Sequence, residues 1–337
     1  MRAFVVTEPF TYEVRDVPAP VAEAGSVVLD VQRVGVCGTD VDFFRGDMAY
    51  LHDGHARFPM RLGHEWMGTV TEIGEGVDRH WLGTRVTGDT MLGCAACRRC
   101  RSGHQHMCDT RREVGIRDDF PGALAQQLAV PVTSLHALPD TVDDATGALV
   151  EPGGNALRSL LATGLQAGDR LLVLGPGTIG LLVALFAQAR EIEVHVAGVT
   201  PPTIEFARTL GFVGVWDSSA LPELEWDAVV NASNDAASPS LALDLVEPGG
   251  RVVYVGFGLG PSPVDARTLT LKDVTAAGIL SGSPALAETI AIYASGEVNP
   301  LPLIGATIGL AGVGEVLNGR RPEGSGPGPK IHVDPNS

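Results

Sequence analysis

Arg170-Leu171-Leu172-Val173-Leu174-Gly175-Pro176-Gly177-Thr178-Ile179-Gly180 is the stretch whose reading decides the fold. The almost wholly apolar run up to Leu174 is expected of a strand buried on both faces. The glycines then follow as G-x-G-x-x-G, and a helical stretch over 181–189 comes next. In this pattern Gly175 permits the tight turn, Gly177 lets the backbone approach a pyrophosphate, and Gly180 allows close helix–strand packing. The helix start turns unpaired N–H groups and a positive dipole end toward the phosphates. Gly175, Pro176, Gly177, Thr178, Ile179 and Gly180 are therefore the candidate cofactor turn. A bare glycine-rich turn is the alternative, but strand, helix and next strand are all in place, which is the context the motif requires.

Outward from this turn, strands are expected over 193–197, 227–230 and 251–255, with a helix over 203–210. Such alternation implies crossover connections and a parallel sheet. Residues 153–285 thus read as a doubly wound α/β Rossmann domain. An NAD site usually places Asp or Glu about 20 residues beyond the glycines to hold the ribose 2′-hydroxyl. Here that count from Gly180 reaches Gly198, in Val196-Ala197-Gly198-Val199-Thr200. No carboxylate repels a 2′-phosphate there, Thr200 can donate to one, and Arg208 is the nearest cation. The position leans toward NADP over NAD.

Upstream the character changes. The first 90 residues carry short β-branched runs, such as Val27-Val28-Leu29-Asp30-Val31, between Gly, Pro and Asp punctuation. Cys94, Cys97, Cys100 and Cys108 then form C-x2-C-x2-C-x7-C, within a lobe spanning 90–110. Four thiolates at such spacing can wrap one zinc ion tetrahedrally and close it to water. An iron–sulfur cluster is the chemical rival. Buried reduced cysteines are the other reading, but the intervening Arg98, Arg99, Arg101, His104 and His106 make a poor core strip.

Composition limits the partners. Over 337 residues the formal net charge is −16, and no Lys/Arg block stands out. Nucleic acid, which is gripped through basic patches, is excluded as a partner. The longest strongly apolar stretch, 179–189, is 11 residues, against about 20 for a membrane-spanning helix. No membrane association is expected. The opening MRAFVVTEPF has no apolar core of a secretory signal, so a cytoplasmic protein is expected.

The fifth cysteine, Cys37, lies in Gly35-Val36-Cys37-Gly38-Thr39-Asp40; Gly63-His64-Glu65 and Val150-Glu151-Pro152 follow later. Together with the cysteine lobe and the glycine turn, in this order, these motifs resemble the zinc-containing medium-chain dehydrogenases. That family includes alcohol, sorbitol, glucose and threonine dehydrogenases, and the resemblance covers nearly the whole chain. It implies a GroES-like β-rich catalytic domain built from 1–152 and 286–337 beside the Rossmann domain. It further implies that Cys37, His64, Glu65 and Glu151 are catalytic zinc ligands, the two glutamates directly or through water. Thr39 matches the hydroxyl that bonds the substrate oxygen, and Asp40 the carboxylate behind the ligand histidine. Where many relatives carry a relay histidine, five positions after the ligand cysteine, this chain has Asp42. The proton exit therefore runs through Asp42, through His52 or His55, or through water.

The expected activity is hydride transfer between a secondary alcohol (polyol, sugar, cyclitol or amino-alcohol) and NAD(P), with the corresponding ketone as product. The polar loop over 47–57 is a candidate for substrate hydroxyl contacts or simply solvated, and Gly154-Asn155-Ala156 matches threonine dehydrogenases. Family subunits pair through the last Rossmann strands, here 274–280, so a homodimer or homotetramer is expected. Two rivals stand: a metal-independent enone or quinone reductase of the same superfamily, and a non-catalytic cofactor-binding protein. The intact ligand set argues against both.

Overall fold

The long strand Ser26–Val36 organises the first of two compact units in this computed structural model, which describes residues 1–337. That unit comprises Met1–Glu151, Leu286–Gly296 and Ile304–Ser337; the second comprises Pro152–Ala285 and Glu297–Leu303.

In the first unit, Val27, Val28, Leu29, Val31 and Val34 are all buried, the dense β-branched content that a pleated core strand packs best. Ser26–Val36 pairs antiparallel with Glu65–Ile73, whose other edge leads to Arg85–Gly88 and then Leu135–Ala137. On its opposite side it takes Lys330–Val333, near the end of the chain, antiparallel, and beyond that Ile304–Ile308. Gln127–Pro131 also pairs with it. Phe4, Phe43, Phe44, Trp66 and Leu128 fill the core. The helix Gly38–Arg45 leaves directly from the end of Ser26–Val36, so one residue, Cys37, joins strand to helix.

The second unit is a six-stranded sheet whose pairings are all parallel. Across it run Gly214–Asp217, Glu193–Gly198, Arg170–Leu174, Trp226–Asn231, Val246–Tyr254 and Thr275–Gly278. Counted from Arg170–Leu174 this is the order 3-2-1-4-5-6 of the Rossmann fold, with its switch point beside the first strand. Helix Thr178–Ala189 follows that strand and buries Leu181, Leu182, Val183, Ala184 and Phe186.

Local differences from the sequence reading have simple causes. The helix expected over 203–210 is Pro201–Arg208, because proline is pre-set for a first helical turn and lacks an N–H to satisfy. The strand expected over 251–255 is Val246–Tyr254, passing through Pro248-Gly249-Gly250 with a shift of register. The loop over 47–57 contains a short helix, Ala49–His52. No helix is long and apolar enough to cross a membrane.

Candidate active site and metal centres

Cys37 caps the helix Gly38–Arg45, and its backbone N–H donates to Asp40 Oδ2 at 2.9 Å. Asp40 Oδ1 accepts the Gly63 N–H at 3.2 Å and lies 3.5 Å from His64 Nδ1. One buried carboxylate thus ties the 37 segment to the 64 segment. It also leaves the far side of the imidazole for a ligand, as outer-shell carboxylates do in metal sites. Burial alone would raise Asp40, but His64 and the N–H groups of Cys37 and Gly63 outweigh it and hold the carboxyl below its usual range.

The ligand atoms of Cys37, His64 and Glu65 all lie within 4.8 Å of one another. Glu65 opens the strand Glu65–Ile73 directly opposite Gly35. Glycine is needed at that partner position, because a Cβ would stand 2.0 Å from Glu65 Oε2. A thiolate, an imidazole and a carboxylate on this spacing suit zinc and leave it a position for substrate.

The sequence reading missed Lys330. Its Nζ donates to both Glu65 oxygens, at 2.8 and 2.6 Å, and to the Val36 carbonyl at 3.0 Å. The two residues are only 3% and 1% exposed. Burial would lower the ammonium, but Glu65 and Cys37 beside it overcome this and keep it above its ordinary value. Lys330 neutralises a carboxylate that faces a thiolate and is itself shut away from water. A signal is present: the chain has just two lysines, and this one opens the short strand Lys330–Val333.

Among the other expected site residues, Thr39 Oγ1 lies 4.0 Å from Cys37 Sγ. Asp42 is half-buried on the same helix, and burial together with Asp47 raises its carboxyl. His52 is exposed, while His55 is engaged by Arg117 Nη2 at 3.2 Å. Glu151 is half-buried in the helix Val150–Thr163 and stands outside the group formed by Cys37, His64 and Glu65.

The four cysteines of the lobe form a second cluster within the same 4.8 Å limit. Sγ–Sγ separations are 4.0 Å for Cys94 and Cys100, 3.5 Å for Cys97 and Cys100, and 3.9 Å for Cys97 and Cys108. Zinc–sulfur bonds of about 2.3 Å in a tetrahedron require about 3.8 Å between sulfurs. The cluster therefore fits zinc, and all four cysteines are unbridged. Cys97 and Cys100 donate their N–H groups to the sulfurs three residues before them, each at 3.4 Å. The Cys94 backbone and the Thr110 hydroxyl draw the Cys108 thiol down to about 6.

In the second unit, Gly175 has φ +101°, and Gly180 lies so close below it that a Cβ would be 2.0 Å from the Gly175 carbonyl. At Gly177 nothing comes within 4 Å of a Cβ position, and no side chain caps the helix that begins there. The turn is therefore open on its outer face, with unpaired N–H groups that a pyrophosphate can take. Gly198 has a packing reason as well, since a Cβ there would meet Pro176 at 2.7 Å. Thr200 Oγ1 bonds Thr203 Oγ1 at 2.7 Å, and Arg208 is ion-paired with Glu205.

Comparison with known proteins bears on family and fold. Residues 23–140 match the alcohol dehydrogenase GroES-like domain, and residues 178–295 the zinc-binding dehydrogenase domain. The chain is 32% identical over 306 residues to 2-dehydro-3-deoxy-L-galactonate 5-dehydrogenase of Pseudoalteromonas atlantica, covering 88% of each chain. It is 29% identical over 325 residues to L-threonine 3-dehydrogenase of Sinorhizobium fredii, covering 92% of each. Among solved structures, an alcohol dehydrogenase of Thermus sp. ATN1 superposes with a TM-score of 0.89 at 26% identity over 99% of both chains. A zinc-binding dehydrogenase of Sinorhizobium meliloti, bound to NADP, superposes with a TM-score of 0.89 at 24% identity and 99% coverage, a likeness of fold. Fold and relatives define an NAD(P)-dependent oxidoreductase that interconverts an alcohol and a ketone. The chain belongs to the zinc-containing medium-chain dehydrogenases.

Proposed function

We propose that the enzyme oxidises the secondary alcohol of a polyol, sugar acid or amino-alcohol, with Cys37 and His64 holding a catalytic zinc. Glu65 and Glu151 are the carboxylates that complete the set, directly or through water. The observation that carries this reading is the convergence of Cys37, His64 and Glu65 within 4.8 Å, with Asp40 behind the imidazole. When bound, zinc lowers the pKa of the substrate hydroxyl and the nicotinamide accepts the hydride.

The chain's own residues do the rest. Asp40 fixes the ring orientation of His64, and Lys330 holds Glu65 against the wall at Gly35. Thr39 takes the proton of the substrate hydroxyl, and Asp42, half-buried with a raised pKa, is the next acceptor on the same helix. Gly177 and the open helix start hold the pyrophosphate. NADP is the favoured cofactor: Gly198 puts no carboxylate at the ribose, and Thr200 is free to exchange its Thr203 bond for a phosphate oxygen. The outer strand Thr275–Gly278 has an unpaired edge, a template for a second copy of the chain, which supports a homodimer or homotetramer.

A panel of polyols, sugar acids and amino-alcohols, including L-threonine, assayed by reduced-cofactor absorbance with NAD and NADP, tests the reading. Turnover of at least one panel member by protein holding about two zinc ions per subunit is expected. Protein that binds about one zinc and reduces enones instead would replace this reading with that of a metal-independent reductase. Thr39→Val should lower kcat roughly 100-fold and leave cofactor Kd unchanged.

A further inference from the structure

The first unit also contains a cavity of about 360 Å³ whose lining includes no metal-ligand candidate. Its floor is apolar, with Val5 and Ile116 buried there. Four arginines line it, Arg15, Arg57, Arg61 and Arg117, against a single carboxylate, Asp119. This concentration of positive charge occurs in a chain whose net charge is −16.

Three of the arginines have partners. Arg57 is paired with Asp119, its Nε at 3.2 Å from Oδ1. Arg15 reaches Glu13 at 3.0 Å from an exposed position. Arg117 meets Asp118 at 3.4 Å and lies over the Tyr50 ring at 5.5 Å. Arg61 has none: its Nε is sealed from solvent without a hydrogen-bond partner, and no carboxylate pairs with its guanidinium. Burial alone lowers its pKa to about 10. The main chain that carries it is fixed: the Arg61 carbonyl accepts the Gly122 N–H at 2.8 Å, and neighbouring Met60 bonds Val6 in both directions.

Arg61 is half-buried, and a guanidinium whose Nε is sealed from water and which lacks an ion-pair partner gains from an added counter-charge. We propose that this cavity binds a small organic anion, a carboxylate or phosphate monoester, with Arg61 as the anchor of its charged end. The planar donor fork matches either oxyanion, the apolar floor takes the carbon body, and the volume suits a compact ligand. The alcohol oxidation does not require this site, so its existence is independent of the catalytic assignment.

The test uses zinc-loaded protein saturated with reduced cofactor, so that the glycine turn is already filled. Inorganic phosphate, phenyl phosphate and benzoate are titrated calorimetrically against chloride at fixed ionic strength. Saturable binding of phenyl phosphate or benzoate is expected, weakened at least tenfold in Arg61→Met and less in Arg61→Lys. The tighter of the two probes then identifies the anion as phosphate or carboxylate. Without any anion, Arg61→Met should melt at a higher temperature than the parent, since an uncompensated charge is gone. No saturable heat with any probe, or equal affinity in Arg61→Met, would overturn the proposal.

Discussion

The cysteine lobe takes all its possible ligands from the fifteen residues from Cys94 to Cys108, whereas the other cluster draws Cys37, His64 and Glu65 from the adjoining ends of two paired strands and their buried cation from residue 330. In the lobe, a single helical turn, Arg98–Arg101, and its N–H···S bonds set most of the spacing, so the short segment nearly makes the site by itself. In the other cluster only His64 and Glu65 are neighbours in sequence, and nothing local brings Cys37 or Lys330 to them. Sheet pairing of Gly35 with Glu65 and of Ile331 with Val36 does it. On the proposed reading the lobe would close around its ion and stabilise the fold, whereas the cluster of Cys37, His64 and Glu65 would leave zinc a position for substrate.

This contrast can be broken experimentally, and the largest effect should come from the lobe. Cys97→Ser should reduce bound zinc from about two to about one per subunit and lower the thermal midpoint by more than about 10 °C, because structural zinc contributes folding energy directly. Metal analysis and calorimetry on one sample check it. If the midpoint holds, the lobe is not a folding element. The converse variant, His64→Ala, should also lose about one zinc, but turnover should fall at least about 1,000-fold while the midpoint moves little.

Lys330→Met sharpens the comparison, since it removes only the remote contributor. It leaves the Glu65 carboxylate buried and unpaired, at a cost of about 3–5 kcal/mol. The double variant with Glu65→Gln should recover most of that loss in chemical denaturation. An equal loss in the double variant would show that the pair contributes through packing alone.

The effect that is smallest near neutral pH concerns His332, on the same C-terminal strand. It is fully buried, both ring nitrogens lack partners, and burial with Lys330 and Arg33 nearby pushes its pKa down to about 3. The unfolded chain takes up this proton near pH 6.5 and the native chain does not. Its contribution to stability is therefore complete above pH 6.5 and is lost as pH falls toward 3, by at most about 1.4 kcal/mol per pH unit. His332→Leu should flatten that part of the stability profile, and an unchanged slope would assign acid sensitivity to other groups.

Much of this was legible in the chain. Gly175, Gly177 and Gly180 sit where their spacing and flanking runs place them, and the cysteine interval alone specified a four-thiolate cluster. Cys37, His64 and Glu65 were recognisable through their motifs, but their mutual distance was not, since 27 residues separate the first two. Lys330 and Arg61 are hard to single out in the sequence because an isolated basic residue carries no periodic signal; the rarity of lysine marks Lys330, but only the tertiary surroundings give either residue its meaning. In the sequence Gly198 stands out by the carboxylate it lacks, while the structure shows that Pro176 packs in the space a side chain would need.

By itself, the sequence determined what depends on near neighbours: the glycine turn, the four-cysteine lobe, the alternation of strands and helices, and Cys37 at a strand end. Only the tertiary structure decided which strand lies beside Ser26–Val36, and therefore that Lys330 meets Glu65 and that Arg61 faces a cavity without a counter-charge. The physical reason is one of range. Local conformations follow from propensity and short hydrogen bonds, while buried charges acquire partners only when the sheet closes around them.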